Sequence, residues 1–98
     1  MKNTLKNLTE MKQLTYRILL NREPEGGYTV TVPTLPGCVT YGENVEEAIS
    51  MAKEAISVYI ESLVAHNEPV PDESNTLEYS LTIDATVRAI FPHTRLRI

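Results

Sequence analysis

The chain has 98 residues, of which 42% are hydrophobic and 22% are charged, and its formal net charge is −4. This composition is typical of a globular protein, and the length allows one domain with a single hydrophobic core. One cysteine excludes an internal disulfide, and the sequence has neither a signal-peptide pattern nor an apolar run near the ~20 residues of a membrane span. We therefore predict a soluble, cytoplasmic protein that does not enter a membrane.

The N-terminal part of the chain predicts a β-hairpin after a short leader. Residues 1–10 are polar with only two leucines, which favours a flexible leader, and Met11 is an alternative start of translation. Apolar side chains alternate over residues 13–21, as expected of a half-buried strand. The segment 24–27 (Pro-Glu-Gly-Gly) supplies a turn, and residues 28–32 alternate again as a second strand.

A proline-rich turn separates the hairpin from a third strand. Pro33 has no N–H to donate to a strand ladder, so it ends the second strand. Residues 35–37 (Leu-Pro-Gly) favour a type II turn, with proline at its second position and glycine at its third. Residues 38–41 are long enough for one short strand, which Gly42 ends.

A long amphipathic helix is predicted next. Asn44 is a suitable N-cap, and Glu47 stands where a capping box places its acidic residue. Apolar residues recur at three- and four-residue spacing from Val45 to Val64, so one continuous stripe can pack on the sheet. The other side of the helix carries acidic residues, which include Glu46, Glu47, Glu54 and Glu61.

The part of the chain after the helix predicts a linker and a closing strand. Residues 68–73 contain two prolines and cannot continue a helix. Residues 77–87 alternate apolar and polar side chains, which predicts a strand that returns by a right-handed crossover to a parallel neighbour. Residues 88–98 are predicted to be a tail or a short strand. The expected fold is α+β with the order β-β-β-α-β, in which one helix packs on a small sheet.

Tests for catalytic chemistry give no coherent site. The two histidines, His66 and His93, are distant in sequence from Cys38, so neither a nucleophile–base pair nor a zinc site has the expected spacing. The glycines do not form a phosphate-binding loop, because two lie in the hairpin turn. We therefore predict a binding domain that is not an enzyme and needs no cofactor or metal. An RNA-processing enzyme is the least supported alternative.

Charge is distributed unevenly along the chain. Residues 43–73 carry eight acidic residues and one lysine, whereas the remaining residues carry eight basic and five acidic ones. An acidic helix repels the phosphates of nucleic acids and suits a basic partner protein. A helix face that is acidic only because it is solvated explains the same pattern, and both interpretations stay open at this point.

The motif residues of the central stretch resemble those of the HicB family of antitoxins, the inhibitory halves of HicA–HicB toxin–antitoxin modules. The resemblance covers residues 11–87. The residues that carry it are Tyr28, Pro33, Leu35, Pro36, Gly37, Cys38, Gly42 and Ala48, with Val30, Glu47, Ala52 and residues 54–56 in support. From their pattern we expect these eight motif residues to serve the scaffold and not catalysis.

The resemblance implies a partial ribonuclease-H-like fold without catalytic carboxylates. It also implies binding to a small basic toxin of the HicA type, which cleaves mRNA and whose active site the antitoxin occludes. The helix glutamates Glu46, Glu47, Glu54 and Glu61 are our own electrostatic candidates for that contact. The alternative function is an orphan HicB-like module that oligomerises or binds a ligand without a toxin.

Many members of this family continue into a DNA-binding domain. Eleven residues follow Val87 in this sequence, too few for such a domain. We therefore expect either a member whose DNA binding is weak or absent, or a truncated form of a DNA-binding member. Exposed sheet edges favour a homo-oligomer.

Overall fold

The computed structural model describes residues 11–88. The elements are β1 (Leu19–Arg22), β2 (Tyr28–Thr31), β3 (Val39–Gly42) and a helix that we call α1 (Val45–Ala65). The three strands form one antiparallel sheet in the order β1-β2-β3, and α1 packs on one face of it, mainly over β3. The predicted α+β class is confirmed. The predicted leader and residues 89–98 of the predicted tail lie outside the described residues.

The predicted hairpin is confirmed, but its first strand is shorter than the sequence pattern. Leu19 pairs with Thr31, and in the same register Arg17 would lie opposite Pro33. Proline cannot donate to the ladder, so the pairing stops before that position. Upstream of β1 the apolar residues of the alternation remain half-buried. Those residues are Leu14, Tyr16 and Ile18.

The predicted turn after the second strand is confirmed in detail. The backbone N–H of Cys38 donates to the carbonyl oxygen of Leu35 at 2.9 Å, which closes a four-residue turn. Gly37 has a φ of 82°, the left-handed value that the third position of a type II turn requires. Leu35 is completely buried and Cys38 is 6% exposed. The turn therefore inserts two side chains into the core.

The helix begins as predicted, with one difference in its cap. Asn44 is the N-cap, and its side-chain oxygen accepts from the backbone N–H of Glu47 at 2.8 Å. In a capping box the acidic side chain returns to the N–H of the N-cap residue itself. Here Glu47 Oε1 instead accepts from the backbone N–H of Glu43 at 2.6 Å. The cap thus also fixes the loop that enters the helix.

The core lies between the sheet and the helix and consists of two small clusters. One contains Val30, Ala48 and Ala52, and the other contains Val32, Leu35 and Cys38. The alanines let helix and sheet approach closely. At the closest point a Cβ added to Gly42 would lie 2.3 Å from the backbone nitrogen of Ala48.

The predicted closing strand is not formed within the described chain. Residues 77–87 have no strand assignment, and their five large apolar side chains are 77–86% exposed. The order of elements is therefore β-β-β-α, without the expected parallel crossover. The alternation predicts an extended segment with one apolar face. It does not predict which sheet edge pairs with that segment. Without that strand, the partial ribonuclease-H-like description stays a prediction.

Candidate functional site

The structure brings three of the four candidate glutamates into one row. Glu47, Glu54 and Glu61 are spaced by seven residues, which is about 20° short of two full helical turns. All three are exposed along one side of α1. Glu46 is also exposed, but it lies about 100° around the helix from Glu47. The four residues therefore do not form a single cluster.

Two exposed apolar residues lie beside this row and were missed by the sequence prediction. Met51 and Val58 are 37% and 59% exposed, and they interleave with the glutamates at three- and four-residue spacing. The signal was present in the sequence, because two apolar residues seven apart interrupt an otherwise polar side of the helix. We call Glu47, Met51, Glu54, Val58 and Glu61 the α1 stripe.

A groove separates the α1 stripe from the free edge of the sheet. Its volume is about 440 Å³. Thr40, Met51, Glu54, Val58 and Tyr59 are among its lining residues. The Tyr59 hydroxyl donates to the carbonyl oxygen of Pro36 at 2.7 Å and fixes one end of the groove. An apolar floor beside one carboxylate suits a side chain that combines an aliphatic stem with a positive charge.

The free edge of β3 offers unpaired backbone groups next to this groove. Val32 N–H donates to the carbonyl oxygen of Cys38 at 3.1 Å, so the Cys38 carbonyl points toward the β2 side. Backbone direction alternates along an antiparallel strand. The backbone groups of Val39 and Tyr41 consequently face away from β2, and no other strand pairs with β3 among residues 11–88.

The motif residues occupy the turn and the core. Leu35, Cys38, Gly42 and Ala48 are buried, whereas Pro33, Pro36 and Gly37 are exposed. Tyr28 is half-buried and lies opposite Arg22, whose guanidinium is 5.8 Å from the centre of its ring. Burial raises the pKa of the Cys38 thiol, so at neutral pH it is protonated and a poor nucleophile.

Among the described residues, no three histidine, cysteine, aspartate or glutamate side chains are grouped so that they could hold a metal ion. Nor does any helix within residues 11–88 combine the length and apolar character that a membrane crossing requires. What the described surface offers is an acidic and apolar helix side next to an open strand edge. Such a surface fits protein–protein contact.

Comparison with known proteins identifies the family of this chain. Residues 16–89 match the family described as "HicB_like antitoxin of bacterial toxin-antitoxin system". A UPF0150 protein of Synechocystis sp. is 46% identical over 66 residues, which are 67% of this chain and 84% of that protein. A UPF0150 protein of Thermoplasma acidophilum is 44% identical over 61 residues, which are 62% of this chain and 88% of that protein.

A named antitoxin is also among the relatives. Antitoxin HicB of Escherichia coli K12 is 32% identical over 76 residues, which are 76% of this chain and 55% of that protein. The family match covers most of the chain and includes all three strands, the helix and the segment after it. The chain therefore belongs to the HicB-like antitoxins of bacterial toxin–antitoxin systems.

Proposed function

We propose that this chain neutralises a small, basic, mRNA-cleaving toxin of the HicA type by covering the toxin's active-site surface. The single observation that carries the proposal is the α1 stripe, where acidic and exposed apolar side chains alternate beside an open strand edge. This role needs binding and no catalysis. We further propose that the protein acts in the cytoplasm as a homo-oligomer.

Electrostatics supports a basic partner. The segment that contains α1 and the linker after it carries eight acidic residues and one lysine. A field of one sign speeds the encounter with a partner of opposite charge and disfavours nucleic acid. Association would therefore become slower as salt is added, since salt screens charges that are separated by more than about 8–10 Å.

Affinity in such a contact would come mainly from its apolar centre. Binding energy in protein interfaces concentrates in a few well-buried side chains, and charged residues around them contribute less. Met51 and Val58 are the exposed apolar residues of the α1 stripe, and both line the groove beside β3. A toxin side chain in this groove would be flanked by Glu54 and by the free backbone groups of β3.

A charge-reversal pair tests the electrostatic part of the proposal. We expect Glu54→Lys to reduce the association rate with the toxin by about ten-fold at low salt, because an attractive charge becomes repulsive. Glu25→Lys is the matched control, since it makes the same charge change in the exposed hairpin turn. Surface plasmon resonance at several salt concentrations measures the association rate of each variant. Equal effects of the two substitutions would contradict a contact at the α1 stripe.

An apolar pair tests the centre of the contact. Val58 and Val64 are 59% and 61% exposed and lie on different sides of α1. We expect Val58→Ser to weaken toxin binding by about ten-fold, mainly through faster dissociation. Val64→Ser should change it less than about two-fold. Similar losses in both variants would place the contact elsewhere on the chain.

Neutralisation itself is tested in cells. A small basic protein encoded next to this chain should arrest growth when expressed alone, and co-expression of this chain should restore growth. The alternative is an orphan module that oligomerises or binds a ligand without a toxin. That alternative is favoured if the neighbouring protein neither arrests growth nor co-purifies with this chain.

A further inference from the structure

The segment after the helix is an exposed amphipathic strand. We call residues 77–87 the C-terminal arm. Its apolar side chains occur at every second position and are hardly covered, with Leu81 86% exposed and Ile83 78% exposed. Residues with this alternation ordinarily lie on a sheet with one face in a core. An exposed apolar patch of this size on a soluble chain marks a surface that another element covers.

The same chain also has a sheet edge without a neighbouring strand. Residues 13–18 continue the alternation of β1 upstream and have no strand partner in the described chain, although Tyr16 and Arg17 are hydrogen-bonded to the linker at Pro71 and Glu73. Together with β1, residues 13–22 make an edge segment of ten residues. From the antiparallel register, the backbone groups of Leu20 and Arg22 face away from β2. A groove of about 500 Å³ runs between this edge and α1. Its lining includes Leu14, Tyr16, Ile18, Ile49, Ala52 and Ile56.

The arm and the edge match in length and charge. The arm has eleven residues, close to the ten residues of the edge. The polar face of the edge carries Arg17 and no acidic residue, whereas the polar face of the arm carries Glu78 and Asp84 and no basic one. Opposite charges on neighbouring strands are favourable, and like charges there are not.

A hydrogen-bonded turn precedes the arm, and the apolar side chains of the arm do not pack on their own sheet. The backbone N–H of Ser74 donates to Asp72 Oδ1 at 3.1 Å, and that of Thr76 donates to the carbonyl oxygen of Glu73 at 3.1 Å. The molecule measures 65 × 30 × 25 Å with a radius of gyration of 18.8 Å, against about 13 Å for a compact domain of this length. Each copy therefore has an unpaired C-terminal arm and, along residues 13–22, an edge without a neighbouring strand.

We propose that the C-terminal arm of one copy pairs with the residue 13–22 edge of a second copy, and that its apolar side chains fill the groove beside α1. Two copies related by a two-fold axis satisfy both arms at once, which is the geometry of strand exchange. The exchange gives the structural basis of the homo-oligomer in the proposed function, and it does not depend on toxin recognition. The chain studied alone therefore tests it separately from neutralisation.

Two double variants of the full chain test the exchange by molar mass. The variant with Leu81→Asp and Ile83→Asp places charges on the apolar face of the arm. Its matched control, with Ser80→Asp and Thr82→Asp, places the same charges on the polar face. Light scattering during gel filtration should give twice the chain mass for the wild type and the control, and one chain mass for the apolar-face variant. Circular dichroism should show an unchanged helix in all three.

Hydrogen exchange shows whether the arm is paired, and the molar mass then shows whether its partner is a second copy. Arm amides should exchange at least about ten-fold more slowly in the wild-type dimer than in the apolar-face variant, because paired N–H groups are protected. A wild-type monomer overturns the proposal, whether its arm amides are protected by its own sheet or not protected at all. A dimer that survives the apolar-face substitutions overturns it too.

Discussion

Glu73 replaces a strand partner for Arg17. The backbone N–H of Arg17 points to the Glu73 carboxylate, at 3.1 Å from Oε1 and 3.2 Å from Oε2. In the register of the hairpin, Arg17 would lie opposite Pro33, but the strand pairing has ended at Leu19 and Thr31, so the Arg17 N–H takes a side-chain acceptor instead of a ladder carbonyl. The hydroxyl of Thr34 donates to the same carboxylate at 2.6 Å. The Glu73 carboxylate thus links Arg17 and Thr34, which lie on the two chain segments just beyond the paired part of the hairpin.

This contact makes the free energy of unfolding depend on pH. The Thr34 hydrogen bond, aided by the N–H and the charge of Arg17, holds the pKa of Glu73 below its ordinary value of 4.5. Because the folded pKa is lowered, the stabilisation is complete above that value and is lost as pH falls through the folded pKa. We expect Glu73→Gln to lower the urea midpoint at neutral pH and to converge with the wild type in acid.

The control for this prediction is Glu68→Gln, which changes an exposed carboxylate of the same linker. Its urea midpoint should follow that of the wild type between about pH 7 and pH 3. A constant difference between Glu73→Gln and the wild type over this range would show that ionisation of Glu73 does not stabilise the fold.

Gly42 is required by the close approach of sheet and helix. A Cβ at this position would lie 2.4 Å from the Cα of Ala48 and 2.9 Å from its Cβ. Backbone atoms at those distances must move, so Gly42→Ala should cost about 3 kcal/mol or more of unfolding free energy. Thermal and urea unfolding measure the loss. A cost below about 1 kcal/mol would mean that helix and sheet separate readily at this point.

Gly37 is required for a different reason, and it makes a useful comparison. Its φ of 82° is strained for any residue with a Cβ, yet a Cβ there would meet no atom within 4 Å. Gly37→Ala should therefore cost about 1–2 kcal/mol, from backbone strain alone. Gly37→Asn should cost less than the alanine variant, because asparagine tolerates the left-handed region. The reverse order of alanine and asparagine in urea unfolding would contradict this explanation.

The helix cap is testable with two substitutions at Asn44. Its side-chain oxygen accepts from the backbone N–H of Glu47, so Asn44→Ala leaves that donor without its partner. We expect a loss of about 1 kcal/mol for alanine and a much smaller loss for Asn44→Ser, which keeps an oxygen at the cap. Equal losses in denaturant titrations would show that the hydrogen bond contributes little.

The thiol of Cys38 should react slowly. It is 6% exposed, and burial raises its pKa above the ordinary value of 9.0. Since the thiolate is the reactive form, iodoacetamide at neutral pH should modify the native chain at least about ten-fold more slowly than the urea-unfolded chain. Mass spectrometry of timed samples gives both rates. Rapid labelling of the native chain would contradict the burial of this side chain.

Short-range signals in the sequence determined the local structure. The Pro36-Gly37 turn and the Asn44 cap form as predicted because each depends on a few consecutive residues. The helix stripe predicted the packed face only in part. Ala48 and Ala52 are buried as expected, but three other members of the stripe are 41–61% exposed, namely Val45, Ile49 and Val64, and Met51 and Val58 on the other side went unrecognised. Membership in the HicB-like antitoxins was also readable, because the motif residues are the same ones that build the turn and the core.

Only the tertiary structure decided where the extended segments go. The alternation of residues 13–21 and 77–87 predicted two strands, and the structure pairs only the end of the first. Period two specifies which side chains share a face, but pairing also needs an adjacent edge, and edges are set by register, by Pro33 and by the turn after Pro71. The row of Glu47, Glu54 and Glu61 is likewise a matter of helical geometry, which sets Glu46 apart although it adjoins Glu47 in the sequence.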